Sequence, residues 1–233
     1  MREGPHREGD SVRRPVRPNT ALVLDVLRRL EAAGATWAPR SRGIDDGFEV
    51  LSWLDGDTPA DATEIDLDAL VRMVRELHDL TAPLAVGFAD DAECLIHDDL
   101  QPRNVVVEDG RPVGLIDWEQ ARPGRRIEDV ADLCWSFVEP VPGSDPVEIG
   151  RRWRAVLDAY DLDDAVDRAE VVPMARARMA VCVDDIVRHT AAGSTRHRVL
   201  ADRGDDVAIQ AMLDWTTTYQ DAITEVLTRG SSR

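Results

Sequence analysis

The run Leu95–Glu119, LIHDDLQPRNVVVEDGRPVGLIDWE, constrains this chain more than any other stretch. A short apolar segment, Cys94-Leu95-Ile96, leads into His97-Asp98-Asp99, and Pro102 forbids a continuous helix from there to the next segment. Asn104 stands five residues after Asp99. Val105-Val106-Val107 is β-branched and reads as a strand, Glu108-Asp109-Gly110-Arg111 as a turn, and Val113 to Ile116 as the returning strand. Asp117 closes that strand thirteen residues after Asn104. Such a hairpin carries an Asp/Asn pair at one end and a second Asp at the other. Three oxygen-bearing side chains in this arrangement suit a hard cation and a phosphate tail. A merely solvated Asp-rich loop would not need a strand, turn and strand directly after it.

At His97-Asp98-Asp99-Leu100-Gln101-Pro102-Arg103-Asn104 and at Ile116-Asp117-Trp118-Glu119 the chain resembles the aminoglycoside phosphotransferase family. The matching segments are that family's H-x-D-x-x-x-x-N and I-D motifs, found in small-molecule kinases with a protein-kinase-like fold. The resemblance implies an α+β fold with a reduced N-terminal lobe over residues 1–56 and a mainly helical C-terminal lobe over 57–233. It implies ATP and Mg²⁺ as cofactors and transfer of the γ-phosphoryl group to a hydroxyl of an aminoglycoside-like or other small substrate. Asp99 would be the catalytic base, and Asn104 and Asp117 the Mg²⁺ ligands. His97 would hold the loop and Asp129 would brace it by hydrogen bonds. The family usually carries Gly where this chain has Asp98.

Other family features depart from the pattern. Every one of the 28 basic residues is Arg, so no strand Lys exists to meet the phosphates. Ser11-Val12-Arg13-Arg14-Pro15-Val16 reads as a short strand at the place of the phosphate-binding strand, and Arg13 or Arg14 is the candidate replacement. Only Gly4 and Gly9 lie where a Gly-rich loop belongs, and G-x-G-x-x-G is absent. The helix expected over Ala21–Ala33, with Thr20 as its N-cap and Gly34 after its end, has no Glu in its middle turn to pair with a phosphate-binding cation; Asp25 is the nearest acid. Phe48–Leu54 reads as a strand ending in Asp55-Gly56, and by resemblance Leu51, Ser52 and Trp53 form the hinge that meets adenine. These departures keep open a non-catalytic nucleotide- or ligand-binding relative. A third class, a metal phosphohydrolase using His78-Asp79 and His97-Asp98, conflicts with Pro102 and the VVVEDG strand, because its HD pair belongs on a helix.

The remainder of the chain is helical in pattern. Leu67–Leu80 is amphipathic, with His78 near its apolar face, and Thr81-Ala82-Pro83 is expected to end it. Asp57 to Asp61 reads as a linker. A helix is expected from Arg122 through Val138, then others over 146–160, 164–169, 171–192 and 204–228. Asp184, Asp185 and Asp214 on these helices are candidate contacts for a cationic substrate.

Composition bounds the setting. With 43% hydrophobic and 31% charged residues the chain is an ordinary globular protein, and no apolar run approaches the ~18 residues of a membrane span. The start, MREGPHREGD, has no signal-peptide core, so a cytoplasmic enzyme is expected. Cys94, Cys134 and Cys182 fit neither a disulfide framework nor a zinc site. Residues 1–42 hold nine Arg against five acids, so the net charge of −17 is concentrated in the rest. An acidic body argues against nucleic-acid partners and suits a cationic small molecule.

Overall fold

The computed structural model describes residues 5–85 and 91–229; Gly4 lies outside them. The backbone divides into two compact units, with the division between Asp129 and Val130. The lobe boundary expected at residue 56 falls within the first of them.

The first unit opens with strands β1 (His6–Glu8) and β2 (Ser11–Pro15), helix α1 (Thr20–Ala32), and strands β3 (Ser41–Asp45) and β4 (Phe48–Ser52). The four strands form one antiparallel sheet in the order β1-β2-β4-β3. Strand β4 alternates, with Glu49 and Leu51 buried and their neighbours half-buried. An acid is therefore buried on the same face as an apolar core residue. Helix α1 starts at Thr20 itself, not after it, and Thr20 does not cap it: its Oγ1 accepts the Arg17 N–H at 2.9 Å. Val23, Leu24, Val26, Leu27 and Leu30 bury one face of α1.

Helix α2 (Leu67–Ala85) buries Leu70, Val71, Val74 and Leu77, the stripe its periodicity predicts. It runs past the stop expected at Thr81-Ala82-Pro83. Thr81 is fully buried, donates to Leu77 O at 2.8 Å and accepts the Leu95 N–H at 3.1 Å. That hydroxyl ties α2 to strand β5 (Cys94–Ile96) without leaving the helix. Pro83 sits within the last turn, where its missing N–H removes one hydrogen bond at the end of the helix.

The hairpin forms as its sequence predicts, from β6 (Val105–Glu108) and β7 (Arg111–Leu115), with Val105 opposite Leu115. The chain before it is also fastened down: Asp57 and Val107 exchange two backbone hydrogen bonds of 3.0 and 2.8 Å, so part of the expected linker is a bridge to β6. The helix expected from Arg122 begins only at Arg126. Pro123 and Gly124 disfavour helix, and Arg122–Gly124 instead forms strand β8, antiparallel to β5. Helix α3 (Arg126–Phe137) follows.

The second unit is helical: the remainder of α3, then α4 (Pro146–Tyr160), α5 (Ala165–Ala191), α6 (Thr195–Arg203) and α7 (Asp205–Thr228). Asp145, Asp164 and Ser194 cap α4, α5 and α6 by accepting backbone N–H groups of the first turn. The two helices expected over 164–169 and 171–192 are one, because Val171, Val172 and Ala175 are buried on both sides of Pro173 and packing carries the helix through it. Helix α6 has no counterpart among the helices expected from the sequence. Helices α4 and α5 both pack on α7, and α4 comes so close at Gly150 that an added Cβ would lie 2.9 Å from Val226 Cβ. Buried Asp132 receives the Arg178 guanidinium at 3.0 and 2.7 Å and the Trp135 indole N–H at 2.9 Å. Among the described residues no helix is long and apolar enough to cross a membrane.

Gly56 precedes the Asp57–Val107 bridge with φ of 126°, and a Cβ there would lie 2.7 Å from Val107 O. Gly56→Ala combines a strained backbone with a clash against main chain, and is expected to destabilise by about 2–4 kcal/mol in denaturant titration. A change within about 0.5 kcal/mol would mean that this bridge does not hold the hairpin.

Candidate active site

The loop between β5 and β6 is fixed by one carboxylate. Asp129, in the first turn of α3, has no solvent exposure and accepts the backbone N–H of His97 at 2.8 Å and of Asp98 at 3.0 Å. Its Oδ2 also meets His78 Nε2 at 3.0 Å. Burial pushes the Asp129 carboxyl up, but the His78 hydrogen bond and charge, with His97, outweigh it and hold it below the ordinary carboxylate value. His97 is buried, its Nε2 3.0 Å from Ile116 O and its ring edge-on to Trp118 at 4.9 Å. His97 and Asp129 thus sit where a loop-holding and a bracing residue are needed. His78 is a packed partner of Asp129.

Asp98 adopts φ of 64°, a conformation that L side chains enter at a cost and glycine enters freely. That accounts for the glycine usual at this position. Asp98 is held there by the Arg122 guanidinium, whose Nε and Nη2 donate to its two oxygens at 2.7 and 3.1 Å; Arg122 also reaches Glu128.

Asp99 and Asn104 meet directly. Asn104 is buried, and its Nδ2 donates both to Asp99 O at 2.8 Å and to Asp99 Oδ2 at 2.9 Å. With both amide protons committed, Oδ1 is the part of Asn104 left for a cation. Asp99 Oδ1 accepts from Gln101 Nε2 at 3.1 Å. The hairpin register brings Asp117 to the same end: Ile116 N–H donates to Asn104 O at 2.9 Å, and Asp117 follows in the left-handed conformation with φ of 62° and ψ of 54°. Its side chain is 31% exposed. Trp118 beside it is buried, donates to Leu115 O at 2.8 Å and stacks on Trp37.

A buried ion pair lies beside this end of the hairpin. Arg14 on β2 stands opposite Glu49 on β4, with Nε donating to Glu49 Oε1 at 2.7 Å, and the two residues are 7% and 2% exposed. Arg14 Nη1 then reaches Asp117 Oδ1 at 3.2 Å. Of the two candidate arginines the structure brings Arg14 to Asp117. Arg13 turns elsewhere, to Asp45 at 2.8 Å and over the Phe48 ring. Asp25, the nearest acid on α1, pairs with Arg29 at the surface. Glu49 escapes the sequence analysis because it lies within the apolar hinge strand. The available signal is its spacing of two from Leu51, which puts both on one face.

At the expected hinge, Leu51 is buried and the backbone N–H groups of Ser52 and Trp53 donate to Arg40 O at 2.9 Å and Asp10 O at 2.8 Å. The Arg7 guanidinium covers the Trp53 ring at 4.1 Å. Cys94 and Cys134 are buried thiols pushed up by burial, whereas Cys182 is half-exposed. In the second unit Asp184 and Asp185 engage Arg188, and Asp214 accepts from Gln210 Nε2 at 2.8 Å. Among the described residues no three His, Cys, Asp or Glu side chains gather as a metal cage.

The sequence profile of the phosphotransferase enzyme family matches residues 23–165, more than half of the chain. The chain belongs to this family. The trifolitoxin immunity protein of Rhizobium leguminosarum bv. trifolii is 34% identical over 146 residues, covering 55% of this chain and 56% of that one. The chain therefore spans little more than half the length of this relative. Among solved structures, a choline/ethanolamine kinase family protein from Mesorhizobium loti superposes with a TM-score of 0.62 at 16% identity, over 97% of this chain and 89% of that one. ADP-bound aminoglycoside phosphotransferase APH(2'')-Ib gives 0.52 at 14% identity, over 96% and 93%. The streptomycin–ATP complex of APH(2'')-IIa also gives 0.52 at 14%, over 81% and 87%. At these identities the likeness establishes the fold: α+β and kinase-like, a small sheet followed by a mostly helical remainder.

Because the folded-state value of Asp129 is depressed, its contribution to stability is present above the ordinary carboxylate range and is lost as pH falls through the folded value. Asp129→Asn is expected to destabilise by about 3 kcal/mol near neutrality, with the gap to the parent narrowing below about pH 4. A gap that stays constant from about pH 7 to about pH 3, measured by guanidinium unfolding, would contradict the assignment.

Proposed function

We propose that this phosphotransferase transfers the γ-phosphoryl group of ATP to a hydroxyl of a small molecule. The observation that carries the reading is the connected run Asp99–Asn104, hairpin base, Asp117, Arg14 and Glu49. Asp99 has the place of the base that accepts or orients the hydroxyl proton. Asn104 and Asp117 offer an amide oxygen and a carboxylate, hard donors of the kind Mg²⁺ takes when substrate phosphates complete its coordination. Bound Mg²⁺ supplies charge compensation at the transferring group. Arg14 is the phosphate-facing cation in place of lysine, presenting a fork instead of a point charge. His97 and Asp129 hold the loop so that Asp99 keeps its position.

The division of labour we propose puts nucleotide contacts in residues 1–56 and catalysis and acceptor binding in 57–233. The hinge at Leu51, Ser52 and Trp53 meets adenine through carbonyl and side-chain atoms, since the N–H groups of Ser52 and Trp53 serve other backbone carbonyls. An acidic body favours a cationic acceptor of the aminoglycoside kind in the cytoplasm. The name of the curated relative adds small toxins to the acceptors worth trying. A second reading, a nucleotide-binding relative without turnover, is favoured by the contact of Arg14 with the very carboxylate that a metal needs.

The two aspartates have different jobs and separate the readings. Asp99→Asn should lower turnover by a factor on the order of 10²–10⁴ with little change in nucleotide affinity. Asp117→Asn should weaken Mg²⁺-dependent nucleotide binding and turnover together. Full activity in Asp99→Asn, by transfer of labelled phosphate, would remove Asp99 from the base role; nucleotide binding without turnover in the parent would establish the second reading.

A further inference from the structure

We propose that Glu49 is a positioning residue that holds Arg14 as a resident cation on Asp117, so that a divalent metal and a nucleotide enter this site together and not singly. The inference rests on the reading of Asp117 as metal ligand and Arg14 as phosphate contact.

Glu49 grips one edge of the guanidinium. Its Oε1 takes Arg14 Nε, which turns the Nε/Nη2 edge toward Glu49, fixes the plane and leaves Nη1 on the other side. Nη1 is on Asp117 Oδ1 at 3.2 Å. Among the described residues, buried Nη2 and buried Glu49 Oε2, the remaining atoms of this pair, have no hydrogen-bond partner. A terminal guanidinium nitrogen carries two N–H groups, so Nη1 can meet a phosphate oxygen beside Asp117, and the two match in charge and geometry. The register makes the grip firm: Arg14 and Glu49 are direct neighbours across β2 and β4, inside the sheet and not at its edge. Asp117 is equally constrained by its left-handed backbone at the end of the hairpin.

These constraints set the order of events. A divalent cation arriving alone on Asp117 meets a guanidinium already bound to the same carboxylate, and the two positive charges oppose each other at short range in a partly buried place. A polyphosphate arriving with it supplies negative oxygens that both positive charges can share, and so offsets their repulsion. Metal affinity is therefore low without nucleotide and rises with it. By linkage, the metal raises nucleotide affinity by the same factor.

The test is binding of Mn²⁺ alone, read by its paramagnetic signal, and of ATP in chelator, read by calorimetry, on the full chain. The principal variant is the neutral pair Arg14→Gln/Glu49→Gln, which removes both charges together and leaves no buried charge unpaired. It should bind Mn²⁺ alone about tenfold more tightly than the parent and metal-free ATP about tenfold more weakly. A purely structural ion pair would not move the two affinities in opposite directions. Arg14→Lys keeps the positive charge but loses the grip through Nε, and should shift both affinities in the same directions by a smaller factor. Adding Asp117→Asn to the neutral pair should abolish the gain in Mn²⁺ affinity. If the neutral pair does not fold, Glu49→Asp shortens the anchor and should shift both affinities in the same directions by about threefold. Equal Mn²⁺ affinity in parent and variants, with ATP-assisted Mn²⁺ binding intact, overturns the role of Glu49 and Arg14 alone. Absence of Mn²⁺ binding in every protein, with or without ATP, overturns the metal-site reading and this proposal together.

Discussion

One buried carboxylate, Asp129, fixes the geometry on which the candidate site depends. It gathers the His97 and Asp98 N–H groups and the His78 ring, and so joins α2, the start of α3 and the loop that carries Asp99. Taking an acid out of water is unfavourable unless its oxygens are filled, and these three partners fill them. Two of the three are backbone N–H groups. A carboxylate that binds main chain fixes where the chain runs, so Asp99 and Asn104 are positioned before any ligand arrives. The positive φ at Asp98 and Asp117 belongs to the same constraint: the chain bends sharply on both sides of the hairpin, and in each place an aspartate takes a conformation that an arginine then holds, Arg122 for Asp98 and Arg14 for Asp117.

Much of this was legible in the sequence because it is local. The hairpin was marked by β-branched residues around a Gly turn, and α1 and α2 by apolar stripes at helical spacing. The motif residues His97, Asp99, Asn104 and Asp117 lay at fixed distances along one stretch. What was not legible depends on partners far away in sequence. Strands β5 and β8 are three residues each and exist because they pair with one another, which no periodicity within either reveals. Helix α5 passes Pro173 because burial of its neighbours outweighs a lost hydrogen bond. Glu49 is the most instructive case. An acid in an apolar strand reads as a surface residue, and only Arg14, 35 residues away, makes its burial possible.

The absence of lysine therefore does not leave this end of the hairpin without a cation, because Arg14 stands there. In a chain that uses arginine for every basic residue, Arg14 on β2 is anchored by Glu49 of the neighbouring strand β4. A guanidinium anchored through Nε has less freedom than a lysine ammonium, and it reaches Asp117 without ligand. On the proposed reading, phosphate recognition and metal recognition share one ion pair. On that reading the sharing, together with the Ser52 and Trp53 N–H groups committed to backbone carbonyls, implies weak nucleotide binding.

The most direct test of a metal- and nucleotide-binding site is thermal stabilisation by ATP with and without Mg²⁺. With a dissociation constant of about 1 mM, about 10 mM ATP with Mg²⁺ stabilises the native state by ~1.4 kcal/mol and should raise the melting temperature by roughly 3–5 °C. ATP in chelator should give less than half of that rise. No rise under either condition, in a protein that melts cooperatively, would contradict the assignment of this site to a nucleotide and its metal.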